Sequence, residues 1–237
     1  MNAEHIVKAF DDELKKLDEI IVKMGVLAKT QLADAMDGIL SKDLNKADSV
    51  IESDKKIDEL EIELEAVATS ILALRQPMAE DLRLVICALK TSAVLERIGD
   101  YSKNIARKAI TLSQAPLLAP LHPLTRMGNS VQKMIEEVLE AYANRDAKQA
   151  DNVWYSDQEV DDLHASLFRE MLTYMMEDPR AIGPGTHLLF VARYLERIGD
   201  HTTNIAENIH VAVHGKPIDD DRPKGAGPDD LADDIKV

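Results

Sequence analysis

The sequence is short of several residue types, and each shortage excludes a class of protein. Among its 237 residues there is one cysteine, Cys87, so no disulfide framework can form and a reducing compartment is expected. Aromatic residues make up 4% of the chain, and glycine and proline are few. Strands favour aromatic and β-branched side chains, whereas helices accept Leu, Ala and Met readily. The composition therefore favours packed helices.

Two further absences concern membranes and nucleic acids. The chain has no run of about 18 apolar residues, so no transmembrane helix is predicted. Its first ten residues mix charged and apolar side chains and lack the apolar segment of a signal peptide. The net charge is -15, which argues against direct binding to nucleic acid or anionic lipid. We expect a cytoplasmic protein that reaches a membrane peripherally, through its partners.

The chain does contain an internal duplication. The hexapeptide Leu-Glu-Arg-Ile-Gly-Asp occurs at 95–100 and again at 195–200. Earlier positions repeat at an offset of 103 instead of 100, so that Asp54 recurs as Asp157. The change of offset predicts a turn of variable length between the two blocks. The predicted turn segments are 75–78 and 178–185.

Each half is predicted to form three helices, because apolar residues recur at helical spacing. The predicted helices span roughly 4–40, 43–75, 79–113, 121–144, 146–178 and 186–214. Asp43 and Asp146 are placed to cap helix starts, and Gly215 to end the last helix. The fold class is all-α, with two tandem three-helix bundles related by the duplication. The predicted units are 1–115, 116–215 and, as a disordered acidic tail, 216–237.

Acidic residues interrupt the apolar face of the second helix in each half. Inward positions spaced three or four residues apart should carry apolar side chains, yet several carry carboxylates or an imidazole. The residues on or beside that face are Asp54, Asp58 and Glu61, and in the second half Asp157, Asp161 and His164.

The third helix of each half adds two carboxylates one turn apart, Glu96 with Asp100 and Glu196 with Asp200. We expect these pairs to be at least partly buried, because apolar residues precede them on the same face and others cover the opposite face. The expected apolar residues are Leu82, Leu89 and Ala93 on the first face, and Val94, Leu95, Ile98 and Ile105 on the second. Gly99 and Gly199, inside the pairs, indicate either the close approach of a neighbouring backbone or ion, or inheritance through the duplication.

Buried carboxylates must be protonated, paired with a cation or bound to a metal. Arg97 and Arg197 would compensate one charge in each half, which leaves several unexplained, so metal binding is the preferred interpretation and a salt-bridged core the alternative. Converging oxygen ligands suit Mg²⁺ or Mn²⁺ and also iron. His164 would shift the second site towards iron or zinc, unless it is a hydrogen-bonded packing residue.

Two other classes of protein compete with this interpretation. A carboxylate-bridged di-iron enzyme needs Glu-x-x-His on two helices, but the motif occurs once, at Glu207 and His210, and its counterpart at 107–110 lacks it. A metal-free helical adaptor is the other rival. No nucleophile triad, glycine-rich phosphate loop or dinucleotide fingerprint is present, so we expect the protein not to be an enzyme.

The repeated motifs resemble those of the PhoU family, the accessory proteins of high-affinity phosphate transporters. The similarity also includes 10–14, Met24-Gly25, Gln76-Pro77 and 81–83, and it extends to about Gly215. It implies two three-helix bundles related by a pseudo-twofold axis, each with a metal cluster, and we also expect a homodimer. Carried over by position, the ligands would be Asp54, Asp58, Glu61, Glu96 and Asp100, then Asp157, Asp161, Glu196 and Asp200. His164 stands where the first half has Glu61.

The resemblance also implies a function. Family members act at the cytoplasmic face between the ATPase subunit of the phosphate ABC transporter and a sensor histidine kinase. They repress phosphate uptake and the phosphate-starvation response when phosphate is plentiful.

Overall fold

A computed structural model describes residues 3–114 and 121–219, with side chains from residue 10 onwards. These ranges contain six long helices and no strand, which confirms the all-α prediction. The helices are α1 (Ala3–Ser41), α2 (Leu44–Arg75), α3 (Glu80–Ser113), α4 (His122–Asn144), α5 (Ala147–Glu177) and α6 (Ile182–His214). A short 3-10 helix, Pro179–Ala181, joins α5 to α6.

Helix ends follow the local signals in the sequence. The carboxylate of Asp43 accepts a hydrogen bond from the backbone N–H of Asn45 at the start of α2. Asp146 accepts one from Gln149 at the start of α5. Gly215 ends α6 with a φ of 72°, a conformation that costs glycine little. The predicted caps are therefore confirmed.

The start of α6 differs from the prediction. The helix begins at Ile182, so the segment 183–185, predicted as part of a turn, forms its first turn instead. Pro184 is tolerated there because backbone N–H groups in the first turn have no partner within the helix. The repeat offset falls from 103 to 100 because the second half is shorter near its helix ends. α2 has 32 residues and α5 has 31, and Leu195 lies nearer the start of its helix than Leu95 does.

The helices pack as two three-helix bundles that share one hydrophobic core. α1, α2 and α3 contact one another, as do α4, α5 and α6. The bundles meet where α3 packs on α6 and α1 packs on α4. Each of these contacts joins helices that occupy equivalent places in the duplication, which is the arrangement that the pseudo-twofold prediction requires.

Leu, Ile, Val, Ala and Met fill most of the core, and Cys87 is buried in it as predicted. In the part of the chain that the structure describes, no helix combines the length and apolarity needed to cross a bilayer. The predicted boundary at 115 and 116, and residues 220–237 of the predicted tail, lie outside the described residues.

Candidate functional site

Three of the six polar positions on the second helices are buried, as the helical spacing predicted, whereas Asp161 is intermediate and Asp58, which flanks that face, is exposed. Asp54 on α2 is 7% exposed, and on α5 Asp157 and His164 are 1% and 5% exposed. Glu61 is intermediate, in line with its place on the same face. Polar side chains thus lie within the apolar face of both helices.

The pairs on α3 and α6 lie at the edge of the core. Glu96, Asp100, Glu196 and Asp200 all have intermediate exposure. Leu95, Ile98 and Ile105 are fully buried, whereas Leu82 and Ala93, expected to be apolar cover beside Glu96, are exposed. That expectation was wrong for a physical reason: α1, α2 and α6 occupy the other sides of α3, so this side opens to solvent.

The first-half carboxylates lie close enough to repel one another. Burial raises the pKa of Glu96 to about 7, and the charges of Asp100, Glu61 and Asp58 add to the rise. Burial likewise raises the pKa of Asp58, together with the nearby charge of Asp54. The structure therefore brings all five predicted residues of this half into one cluster.

Lys103 lies within this first-half cluster and was not identified from the sequence. Its Nζ donates hydrogen bonds of 2.5 Å to Asp54 Oδ2 on α2 and to Asp100 Oδ1 on its own helix. Burial opposes the charge of Lys103, but the bonds to Asp100 and Asp54 outweigh it and raise its pKa. A lysine three residues after Asp100 was the available sequence signal. Lys103 therefore compensates more of the cluster than Arg97, which is exposed.

The second-half cluster has a different arrangement of charges. Burial raises the pKa of Glu196 to about 7, mainly with the help of Asp200 and against Arg197. Arg197 Nη1 lies 3.3 Å from Asp200 Oδ2, and its Nε lies 3.7 Å from Glu196 Oε2. Its side chain remains 45% exposed, so it pairs with both acids from the solvent side of their own helix.

Threonine replaces the lysine in this half. Thr203 is the duplicate of Lys103, is fully buried, and donates its hydroxyl to the backbone carbonyl of Asp200 over 2.7 Å. Asp161 adds to the negative charge acting on Glu196. His164 supplies an imidazole where the first half has Glu61. The donor set of the second half is thus carboxylates with one imidazole.

The glycines inside the acidic pairs lie close to side chains of the neighbouring helix, which leaves no room for a Cβ atom. A Cβ on Gly199 would lie 2.5 Å from Asp157 Oδ1, and one on Gly99 would lie 2.7 Å from Ile57 Cδ1. Real Cβ atoms do not approach other atoms so closely, so an alanine would require the side chains of Asp157 and Ile57 to move. The close neighbours are the side chains of Ile57 and Asp157, where the sequence predicted a backbone or an ion.

Among the described residues, no three His, Cys, Asp or Glu side chains converge on one ion position. Metal binding would therefore need carboxylates to turn towards a common point. Glu196 and Asp200, whose side chains are 21% and 26% exposed, lie at the edge of the core, where such a movement is least restricted.

The Glu-x-x-His motif makes contacts outside the acidic clusters. Glu207 accepts a hydrogen bond of 3.0 Å from Trp154 Nε1, and His210 Nδ1 lies 2.7 Å from Asp151 Oδ1. Both contacts join α5 to α6 beyond the acidic pairs. The motif thus serves helix packing in this structure.

Comparison with known proteins decides the family. The model of the PhoU domain matches residues 21–109 and 124–209, one segment in each half, and these segments contain all ten predicted ligands. The chain belongs to the PhoU family. A relative from Caulobacter vibrioides, named phosphate-specific transport system accessory protein PhoU homolog, is 47% identical over 93% of this chain and 96% of its own. A PhoU homolog from Zymomonas mobilis is 47% identical over 90% of both chains.

Solved PhoU structures share the fold. The crystal structure of PhoU from Pseudomonas aeruginosa is 39% identical, has a TM-score of 0.85, and is matched over 87% of this chain and 100% of its own. PhoU from Streptococcus pneumoniae, described as a phosphate transport system regulatory protein, is 29% identical with a TM-score of 0.83, over 89% and 99% of the two chains. The similarity therefore covers both bundles of the family fold.

Proposed function

We propose that this chain is a cytoplasmic regulator of phosphate homeostasis. It acts with the phosphate ABC transporter and a sensor histidine kinase, and it represses uptake and the starvation response when phosphate is plentiful. The observation that carries the proposal is nearly full-length similarity to proteins named accessory to phosphate-specific transport. Three parts of the proposal are inferred from the resemblance of this chain's motifs to those of the family. They are the kinase as a partner, the direction of regulation and the homodimeric state.

We further propose that this regulator binds a metal through its acidic residues. In the second half, the candidate ligands are Asp157, Asp161, His164, Glu196 and Asp200. They fit a divalent or trivalent ion because they combine hard oxygen donors with one imidazole, which suits Fe, Zn or Mn. The raised pKa of Glu196, caused first by burial and then by the charge of Asp200, supports this fit, since a bound cation would compensate its ionised form.

The candidate ligands link two helices of one bundle. Three of them project from α5 and two from α6, so a bound ion would supply positive charge between the helices. The residues themselves would hold the helices at a set distance, while Gly199 allows Asp157 to come close to α6. Metal binding would therefore stabilise the second bundle and the surfaces that it presents to partners.

A regulatory role is preferred to a catalytic one. The di-iron alternative depends on Glu207 and His210, which hydrogen-bond to Trp154 and Asp151 in place of joining the acidic cluster. Relatives are named as accessory proteins. A metal-free adaptor is distinguished from the proposal by elemental analysis of protein purified without chelator.

The regulatory proposal is tested in a deletion strain grown in phosphate-rich medium. We expect transcripts of the phosphate-starvation genes to stay high in this strain and to return to wild-type levels when the intact chain is restored. Co-purification of the tagged chain with the transporter ATPase subunit should accompany repression. Normal repression in the deletion strain would refute the role.

A further inference from the structure

A cavity of about 310 Å³ lies where the start of α5 meets the end of α6, beyond the acidic pairs. None of the ten residues predicted as acidic-cluster ligands lines it. Two imidazoles lie side by side there, next to carboxylates from two parts of the chain. The polar residues that line the cavity are Asp151, Tyr155, His210, His214, Lys216 and Asp219. The cavity is therefore a candidate binding site separate from the acidic clusters.

Asp151 fixes the orientation of the His210 ring. His210 Nδ1 lies 2.7 Å from Asp151 Oδ1, and the His210 side chain is 12% exposed. Because a carboxylate only accepts hydrogen bonds, the proton of the neutral imidazole is on Nδ1 and a lone pair is on Nε2. Histidines that bind a metal through one ring nitrogen usually donate the other N–H to such a carboxylate. His210 is thus held in the tautomer that a metal ligand needs.

His214 supplies a second imidazole one turn further along α6. The ring centroids of His210 and His214 are 4.7 Å apart. Zn–N bonds of about 2.1 Å place the ring centres of two histidines on one ion roughly 5 Å apart. Histidines four residues apart on one helix are also a recurring pair of zinc ligands. The spacing of the two rings is therefore close to that of a pair sharing one ion.

Asp219 is in position to supply a third ligand from the segment that follows α6. In the described part of the chain no three His, Cys, Asp or Glu side chains converge on one point, so this carboxylate has to turn towards the imidazoles. It accepts a hydrogen bond of 2.7 Å from Lys216, and the two side chains are 75% and 62% exposed. An exposed ion pair contributes little stability, so exchanging it for a metal bond costs little.

The electrostatics place the same carboxylate near the imidazoles. The hydrogen bond and charge of Lys216 lower the pKa of Asp219, and His210 adds a smaller effect in the same direction. Ile218, the preceding residue, packs against the core and holds this part of the chain on the bundle. A small rotation of the Asp219 side chain is therefore enough to bring its oxygens towards His210.

Neither histidine has a counterpart in the first half. Ile110 and Gln114 stand at the positions equivalent to His210 and His214. The duplicated helices therefore pack at these positions without imidazoles. Packing accounts for the contact between His210 and Asp151, but it gives no reason for the second ring beside the first.

We propose that His210, His214 and Asp219 bind a Zn²⁺ ion, with Asp151 as the positioning residue behind His210. A water molecule in the cavity completes the tetrahedral coordination. Imidazole ligands favour Zn²⁺ over Mg²⁺ or Mn²⁺. The site does not rest on the proposed metal of the acidic residues. Through His210 and Asp151, the ion links the segment after α6 to α5 and fixes the direction in which the chain leaves the second bundle.

The first test measures Zn²⁺ binding by the full-length, chelator-treated protein in competition with a chromophoric chelator. We expect His214→Gln to bind about one Zn²⁺ ion per chain fewer than the wild type. His214 is exposed and glutamine occupies the equivalent first-half position, so this variant should fold normally. His122→Gln, which removes an exposed histidine at the start of α4, is the matched control and should bind the wild-type amount. Equal zinc contents, or wild-type binding only at millimolar Zn²⁺, would overturn the proposal.

The second test concerns the two aspartates. Asp151→Asn should weaken Zn²⁺ binding by about 10- to 100-fold without changing the number of ions bound. If Asp151 only joined α5 to α6, its replacement would lower thermal stability and leave the zinc affinity unchanged. Asp219→Asn should weaken binding as well, because the amide is a poorer ligand than the carboxylate. Wild-type affinity in both variants would contradict the assigned site.

The third test locates the ion through Trp154, the only tryptophan of the chain. Its ring packs edge-on against Tyr155, which lines the cavity, with centroids 5.0 Å apart. Cu²⁺ binds imidazole ligands and quenches nearby fluorophores. We expect saturable quenching of Trp154 by Cu²⁺ in the wild type and in His122→Gln, and much weaker quenching in His214→Gln. Equal quenching in all three proteins would place the ion elsewhere.

The results also separate this inference from the proposed function. The acidic residues are assayed with Mn²⁺, and His214→Gln should bind as much Mn²⁺ as the wild type. If the wild type binds no Mn²⁺ while His214→Gln loses Zn²⁺, the zinc site stands and the proposed metal of the acidic residues is wrong. If Zn²⁺ is lost in Asp200→Ala but retained in His214→Gln, the zinc belongs to the acidic residues and this inference fails.

Discussion

Tyr101 and His201 stack on each other with ring centroids 5.5 Å apart. They are duplicates, each following the aspartate of its acidic hexapeptide, so the pseudo-twofold relationship brings both motifs to the contact between α3 and α6. The imidazole lies near charges of both halves. Burial lowers the pKa of His201, and Arg97 from the first half lowers it further, while Asp200 opposes the change.

This relationship predicts a pH dependence of stability for His201. Its pKa is lower in the folded state than in the unfolded state, so the unfolded chain takes up the proton first as the pH falls below about 6.5. The His201 contribution to stability is therefore present at neutral pH and decreases on acidification. We expect the stability of His201→Tyr, which retains a stacked ring, to increase relative to that of the wild type as the pH falls from about 7 to about 5. Urea unfolding at each pH measures this, and parallel curves would contradict it.

Glu196 should change stability with pH in the opposite direction to His201. Its folded pKa is about 7, above the ordinary 4.5, so its ionised form destabilises the fold. The contribution of Glu196 to stability should therefore be lowest above pH 7 and should rise as the pH falls from about 8 to about 5, by at most about 3 kcal/mol. In chelator, Glu196→Gln should be more stable than the wild type at pH 8 and show a smaller rise, since Glu96, whose pKa is also about 7, still contributes. A rise of the same size in Glu196→Gln and in the wild type would contradict the prediction for Glu196.

Gly199→Ala should destabilise the second bundle. Its methyl group would meet Asp157 Oδ1 at 2.5 Å, and relieving that contact should cost on the order of 1–3 kcal/mol of unfolding free energy. Gly183→Ala is the control, because no atom lies within 4 Å of its Cβ and alanine favours helix. Urea denaturation should show loss in the first variant and no loss in the second. Equal stabilities would mean that the Asp157 side chain moves aside without cost.

Asp200→Ala and Asp146→Ala should separate metal binding from helix capping. Asp146 accepts a backbone N–H at the start of α5, so its replacement should cost about 1 kcal/mol without changing bound Mn²⁺. Asp200→Ala should lower bound Mn²⁺, because it removes a proposed ligand. Manganese analysis and urea unfolding of both proteins check this. Similar metal contents would remove Asp200 from the ligand set.

A stop codon after Asp219 should leave repression of the starvation genes intact. The deleted segment, 220–237, is rich in Asp, Gly and Pro and can bury little apolar surface. Truncation there retains Ile218, which packs against the core. Transcript levels in phosphate-rich medium test the prediction. Derepression would show that the tail makes a needed partner contact.

The sequence by itself determined the features that depend on order along one helix. Helical spacing predicted that Asp54, Asp157 and His164 would be buried, since the phase of a side chain around its own helix follows from 3.6 residues per turn. The repeated hexapeptides predicted the two bundles. Local capping residues predicted most helix ends, although the first turn of α6 forms through a glycine and proline segment expected to be a turn.

Tertiary structure alone decided how the faces of different helices meet. Lys103 could be seen near Asp100 in the sequence, but its contact with Asp54 depends on the distance and register between α2 and α3. The same is true of the exposure of Leu82 and of the stacking of Tyr101 on His201. Register between helices is set by the interlocking of side chains across the whole core, and no local pattern encodes it.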